Sequence, residues 1–273
     1  MTTPTTQKPR LHPDWFFYLS LALLGGTYIV LIVALLAADL FWTTPGSLLE
    51  ALNSQAIGYS IKLSLISCSI TAILSLWVAV PLGYLLARTQ FWGKLLVDTL
   101  LDIPIVLPPL VIGLSLLILF RTWPGRFFEE NAFVVTYAVP SVILAQFSVA
   151  AAFAVRTMRV TFEQIPPRTE QVAMTLGCTR SQAFWRVTMP EARRGLLTAF
   201  TLSWARSLGE FGPILVFAGA TPMRTEVLPT TVFLELSIGK IEAAIAVSIL
   251  MIVVAVIVLI LTRTLGLRGT GLV

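Results

Sequence analysis

Charge inside a long apolar run is the first feature that could do chemistry. Arg206 and Glu210 stand four residues apart, on one face of a helix, within the apolar run 195–219, with Ser207 and Gly209 between them. A charged side chain at such depth costs roughly 2.5–3.5 kcal/mol on insertion scales, so it is retained for a partner or a task. Two readings stay open: a self-compensating pair buried among helices, or a position lining the path of a charged solute. Asp102 sits inside another apolar run without a partner on its own helix and is read as a contact for Arg206, while Asp98 has Lys94 one turn away. Pro108 and Pro109 in that run, and Pro213 just beyond Glu210, must interrupt the helical hydrogen-bond ladder. Broken helices of this kind either kink for packing or line a translocation path.

The second cluster is basic and aromatic. "LGCTRSQAFWRVTMPEARR", Leu176 to Arg194, sets Arg180, Arg186, Arg193 and Arg194 around the adjacent Phe184 and Trp185. Upstream, Pro166 and Pro167 suit a helix start, where a missing N–H is harmless, and Val172 and Leu176 fall four apart on one helix face. Gly177 follows where a helix end favours a left-handed residue. Thr179 and Gln182 then have capping-box spacing, and a second short helix is expected to stop at Pro190. The segment is either an amphipathic pair lying on anionic lipid or a docking element whose aromatic knob enters a groove on a partner.

Other chemistries lack their residues. The only histidine, His12, is in the N-terminal tail; Cys68 and Cys178 fall at different depths, with no CxxC pair; no GxxxxGK[ST] phosphate loop occurs. The chain is therefore expected to be noncatalytic, with no cofactor and no metal of its own.

These residues must be held by membrane-spanning helices. Hydrophobic residues make up 56% and charged residues 12% of the chain, and mean hydropathy is +0.87. Six runs are long enough to span a bilayer: 15–37, 59–84, 95–120, 133–155, 195–219 and 241–262. Hydrocarbon offers no partner to exposed backbone, so the fold class is all-α integral membrane protein. The expected organisation is a tail 1–14, a first helix and outer loop 15–58, a core of five further helices over 59–262 that includes the loop 156–194, and a tail 263–273. The first run is read as an uncleaved span, because it exceeds the core of a signal peptide. Thirteen cations fall on one side of this arrangement against four on the other, which puts both termini and the 156–194 loop in the cytoplasm. The net charge of +5 is thus an orientation signal in a multi-pass cell-membrane protein and marks no nucleic-acid surface.

Gln171-Val172-Ala173, then Gly177, then Val187-Thr188-Met189-Pro190 resembles the coupling loop of ABC importer permeases, summarised as E-A-A-x3-G-x9-I-x-L-P. Ala, Gly and Pro match in register; Gln171 replaces the leading acid, with Glu170 beside it. "LDIPIVLPPLVIGLSLL" and "SWARSLGEFGPILVFAGATPMRTEVLP" resemble the molybdate, tungstate and sulfate branch of type I ABC importers. The resemblance implies the type I permease fold of about six spans and a tetrahedral oxyanion cargo. It implies two ATPase subunits carrying ATP and magnesium, and a binding protein outside the membrane. It also implies a second permease chain, identical by the "ARSLGEFG" signature or homologous by "PMRTEV". In that role Glu170, Gln171, Ala173, Gly177, Phe184, Trp185 and Pro190 contact the ATPase. Arg206, Ser207, Glu210, Pro108, Pro109 and Asp102 face the pathway. The rivals are a permease of the same superfamily for another cargo and a self-sufficient ion-coupled carrier or channel.

Overall fold

The computed structural model describes residues 15–268, so the tail 1–14 and residues 269–273 lie outside the described residues. The chain divides into two compact units between Thr44 and Pro45. In the first, α1 (Trp15–Trp42) is one uninterrupted apolar helix. Its polar hydroxyls return their protons to the helix itself, Ser20 to the Phe17 carbonyl and Thr27 to that of Leu24.

The second unit begins with α2 (Pro45–Asn53) and the 34-residue α3 (Gln55–Arg88). It continues through α4 (Lys94–Val106), α5 (Pro109–Arg121), α6 (Trp123–Asn131) and α7 (Val139–Gln164). A short-helix segment follows: α8 (Pro167–Thr175), α9 (Arg180–Ala183), a π turn over Phe184–Thr188 and α10 (Met189–Glu191). The chain then forms α11 (Arg193–Leu208), α12 (Gly212–Phe217), α13 (Leu228–Ser237) and α14 (Ile241–Arg268). Helix therefore extends into the stretch expected as the C-terminal tail.

α3 and α7 form the spine, because each offers the other a stripe of small residues. Ser64, Ser67, Ala72, Ser75 and Ala79 of α3 and Ala145, Ala150 and Ala154 of α7 are buried. Without a hydrophobic drive between helices in lipid, such stripes allow the backbones to approach and dispersion to act. At Gly83 an added Cβ would come within 2.9 Å of the Met158 Cβ and of the Arg159 backbone nitrogen. α13 is tied onto α3 by hydrogen bonds, the Leu228 N–H donating to Ser64 Oγ and the Thr231 hydroxyl to Ser60 Oγ.

Two of the six expected spans are interrupted, at the prolines expected to break the ladder. Among the described residues four helices are long and apolar enough to cross a bilayer, α1, α3, α7 and the 241–262 part of α14, and the α4–α5 pair, bent by 112°, makes a fifth if counted as one broken span. Pro108 and Pro109 cause this bend: neither has an N–H, and a residue before proline is forced out of the helical region. Leu107 and Pro108 accordingly have ψ of 141° and 132°. The run 195–219 also stops, at Leu208, and resumes at Gly212. Pro213 in the first turn of α12 cannot donate to the Gly209 carbonyl, as an unbroken helix would require.

The two breaks touch. A Cβ on Gly113 of α5 would lie 2.7 Å from the Pro213 Cα and 2.9 Å from its carbonyl oxygen, and one on Gly212 would lie 3.2 Å from the Pro109 Cβ. Glycine is needed at Gly113 because the obstacle is backbone, which cannot rotate away. Gly113→Val is expected to cost at least about 1–3 kcal/mol by overpacking and to lower the melting temperature in detergent. Gly58→Ala, in an open part of α3, is expected to leave it unchanged or raised. Equal melting temperatures for Gly113→Val and the unaltered chain would mean that the breaks do not pack as described.

Candidate functional site

The short-helix segment is anchored from beneath by a carboxylate. Pro167 occupies the first turn of α8, as its missing N–H favours, and Glu170 lies on the face turned into the bundle, 8% exposed. Its Oε1 accepts from Arg88 Nε at 3.0 Å and its Oε2 from the Tyr84 hydroxyl at 2.8 Å. Arg88 also donates through Nη2 to the Ile165 carbonyl at 2.9 Å, closing the exit of α7. A charge-assisted pair this sheltered fixes the orientation of α8 on the end of α3. Glu170, not the in-register Gln171, is thus the acid that faces inward; Gln171 is exposed. Arg88 and Tyr84 were not singled out from the sequence, because their role depends on contacts more than 80 residues distant.

α8 ends as its sequence dictates. Gly177 has φ of +94°, its N–H bonds the Met174 carbonyl, and the Cys178 N–H bonds that of Ala173. This is the paired closure of a helix on a left-handed glycine. Thr179 and Gln182 then form the expected reciprocal capping box.

Two expectations about the next turn are corrected. Pro190 does not stop a helix: the Met189 N–H reaches five residues back to the Phe184 carbonyl, and the widened π turn carries the chain through Pro190 into α11 with little interruption. Phe184 and Trp185 do not act together as an exposed knob. The two rings touch edge to face, centroids 5.1 Å apart, but they are buried unequally: Phe184 packs inward against Tyr84, ring centroids 4.7 Å apart, and near Phe162, while Trp185 remains 62% exposed. Ala173 is buried under α8. The outward surface is therefore Val172, Leu176 and Trp185, apolar side chains with the arginines around them.

The residues expected within the membrane do not come together at one site. Arg206 ends α11, where a cation complements the helix dipole, and Glu210 lies in the break beyond it. Glu210 Oε2 meets Arg206 Nη1 at 2.5 Å, though without an aligned hydrogen bond. The two environments differ: the Glu210 side chain is 1% exposed, whereas that of Arg206 is 30% exposed, its guanidinium 5.8 Å from the centre of the Phe153 ring. Ser207 faces the opposite way, buried, its hydroxyl returned to the Ser203 carbonyl. Pro108 and Pro109 belong to the contact between the two breaks, beside Gly212.

Asp102 does not meet Arg206. It pairs with Arg156 of α7 at 3.7 Å, and Asp98 pairs with Arg159 at 2.6 Å in place of the expected Lys94. Lys94 instead donates to the Thr89 carbonyl. The acids of α4 thus face the cations of α7, a cross-helix match that spacing along one helix cannot reveal. Gln146 is a further residue the sequence reading passed over. It lies in the 133–155 run, where an amide is itself a signal, and its Nε2 donates to the Ser207 carbonyl at 3.3 Å. Among the described residues no group of histidine, cysteine and acidic side chains is suited to hold a metal ion, and both cysteines are free.

Comparison with known proteins gives this geometry a family. The family model of the binding-protein-dependent transport system inner membrane component matches residues 79–268. The sulfate transport system permease protein CysT of Salmonella typhimurium is 33% identical over 198 residues, 72% of this chain and 71% of that protein. The molybdate/tungstate transport system permease protein WtpB of Pyrococcus abyssi is 32% identical over 208 residues, 75% of this chain and 79% of that protein. A bacterial alginate ABC transporter, solved in complex with an alginate pentasaccharide-bound periplasmic protein, shares the fold, with a TM-score of 0.76 and 17% identity over 94% of this chain and 96% of that one. The chain thus belongs to the family of binding-protein-dependent transport system inner membrane components, the permeases of type I ABC importers.

Proposed function

We propose that the chain is the membrane-spanning subunit of an ATP-driven importer of a tetrahedral oxyanion, sulfate or molybdate/tungstate. The observation that carries the coupling role is the two-sided build of residues 167–191. Glu170 and Phe184 anchor the segment to α3 and α7, while Val172, Leu176 and Trp185 are left outward without cover. An amphipathic pair resting on lipid needs no such rigid fastening. A handle gripped by another subunit does, because slack at its base would lose the motion.

In this reading a separate ATPase subunit holds ATP and magnesium and seats Leu176 and Trp185 in a groove. Two such subunits require two handles, hence two permease chains. Identity of the two is favoured, and a homologous partner is the alternative. A binding protein delivers the anion on the face opposite the handle. The distribution of cations supports a cytoplasmic handle and cytoplasmic termini. The oxyanion is supported by the sulfate and molybdate/tungstate relatives, and by Arg206 being retained at membrane depth.

Phe184 and Trp185 give opposite expected outcomes although they are neighbours. Trp185→Ala should leave the melting temperature of the permease unchanged while weakening ATPase binding by about 2 kcal/mol or more, the loss typical of a buried aromatic anchor. Phe184→Ala should lower the melting temperature itself, by removing a packed ring from the base of the segment. Co-purification with the ATPase and a melt of the isolated permease separate the two. Unaltered ATPase binding by Trp185→Ala would remove the handle role.

Gly177→Val places a β-branched residue at φ near +94°, where strain of about 1–3 kcal/mol is expected although the space beside it is open. The chain should insert normally and lose substrate-stimulated ATP hydrolysis in the assembled complex. Intact stimulation would show that the turn at Gly177 does not transmit.

Orientation is checked through Cys178, which is partly exposed. A membrane-impermeant maleimide should label it in inside-out vesicles and not in intact cells, while a cysteine placed at Thr221 shows the reverse. Labelling of Cys178 from outside would overturn the cytoplasmic position of the segment.

A further inference from the structure

A cleft of about 650 Å³ runs between α7 and α11 from the end that carries the short-helix segment toward the break in α11. Its α11 wall follows a four-residue repeat: Arg194, Thr198 and Leu202 line it, and Arg206 is the next step on the same face. From Arg194 to Arg206 this stripe covers about 18 Å at the rise of an α-helix. The facing wall is α7, with Arg156 and Thr157 between Gln164 at the mouth and Phe153 at the deep end. Phe153 is the ring beside the Arg206 guanidinium, so the cleft ends at the Arg206–Glu210 pair. Arg194, Thr198 and Leu202 of this stripe are exposed in the described unit and Arg206 is partly so, whereas Ser203 and Ser207 are buried.

Two of the three cations pair with an acid, Arg206 with Glu210 and Arg156 with Asp102 at 3.7 Å, and Glu191 lines the cleft mouth together with Arg194. A row of uncompensated guanidiniums would hold a dianion too tightly to release it. Guanidiniums partly satisfied by carboxylates attract an anion and let it go, as passage through successive sites requires. Thr157 and Thr161 of α7 and Thr198 of α11 line the cleft between the charges, each hydroxyl donating back to a carbonyl of its own helix.

Resting on the importer reading above, we infer that this cleft is the segment-side part of the oxyanion's route, with Arg206 at its deep end, Arg156 one turn of α7 from that end and Arg194 at its mouth. The ligand class is a tetrahedral oxyanion. A lipid phosphate carries the same chemistry, so the test must tell the two apart.

The test uses the assembled importer, purified in a sugar detergent and carrying Cys178→Ser, with Thr198→Cys, Leu202→Cys or Ser203→Cys introduced singly. Rates of modification by an anionic and a cationic methanethiosulfonate are compared after normalisation to a free thiol. Thr198→Cys is expected to favour the anionic reagent roughly tenfold, because the cleft lining carries Arg156 and Arg194 against the single acid Glu191 and so focuses a positive field. The preference should collapse when Arg194→Gln or Arg156→Gln is added, and millimolar molybdate or sulfate should slow the reaction where chloride at equal ionic strength does not. Ser203→Cys should stay unreactive. An equal or cationic preference at Thr198→Cys, or no slowing by either oxyanion, overturns the inference. Protection by phosphatidylglycerol vesicles but not by molybdate or sulfate also overturns it, because the cleft would then be a headgroup site. Oxyanion uptake by the same complex in liposomes is measured alongside. Uptake with an unreactive Thr198→Cys would discard the cleft and leave the importer standing, whereas selective protection in a complex that moves no oxyanion would keep the cleft and discard the proposed cargo.

Discussion

A helix that stops within hydrocarbon leaves carbonyls that no solvent can satisfy, and this constraint orders most of the second unit. α11 stops at Leu208, and the orphaned Ser207 carbonyl is met by Gln146 of α7 at 3.3 Å and by the Glu210 N–H at 3.2 Å. Gln146 is held in turn by the Thr71 hydroxyl of α3, which donates to its Oε1 at 3.2 Å. One amide thus ties three helices to the break. At the other break the Pro108 carbonyl accepts from Val111, which starts α5 without a ladder partner from α4. Both breaks are then closed against each other through Gly113, where a Cβ would strike the Pro213 backbone, and through Gly212, where one would crowd Leu110 and Pro109.

The ion pairs follow from the same economy of partners. Arg159 bridges Asp98 of α4 and Glu163 of its own helix, at 2.6 Å and 2.9 Å, and Arg156 reaches Asp102. These contacts hold the first half of the broken span to α7, while α5 is held by packing on α12. The halves of that span are therefore secured by different means, polar at the segment end and apolar at the other. Exposed pairs such as Arg156–Asp102 add little stability each, and their value is in fixing register.

Local chemistry was legible in the sequence wherever cause and effect lie within a turn. Pro167, Gly177, Thr179 and Gln182 each act on backbone within five residues, and each takes the conformation its type demands. The apolar runs likewise announced a membrane-embedded all-α chain. The partner of Asp102, the inward acid at Glu170 and the unequal burial of Phe184 and Trp185 were hidden, because each is decided by a neighbour brought in from a distant helix. The interruptions at Pro108–Pro109 and Pro213 were legible as well, but whether each would kink or stop its helix was not, for a related reason. Hydropathy averages over a window and cannot tell a kink from a stop, whereas the outcome depends on whether a second broken helix is present to close the gap.

Stiffness links the two parts of the site. From Arg180 to Leu208 the chain is almost continuously helical, the π turn and the join at Ala192 being its only interruptions. The near end of this rod bears Trp185; the far end is the break that holds Arg206 and Glu210. Between them the rod is braced on α7, where a Cβ at Gly195 would run into the Thr161 side chain, and on the Tyr84–Phe162–Phe184 rings. A packed interior does not absorb displacement gradually, so a rod braced in this way shifts as a unit or not at all. Under the proposed role, a tilt imposed at Trp185 would therefore move Arg206 relative to Phe153. Glu210, which belongs to the non-helical break, would not have to follow. The ion pair would lengthen as the rod moves, and the guanidinium would become more available to an anion in one position of the handle than in the other. That places the weakest joint of the helix where a change of charge environment has the largest effect on what passes.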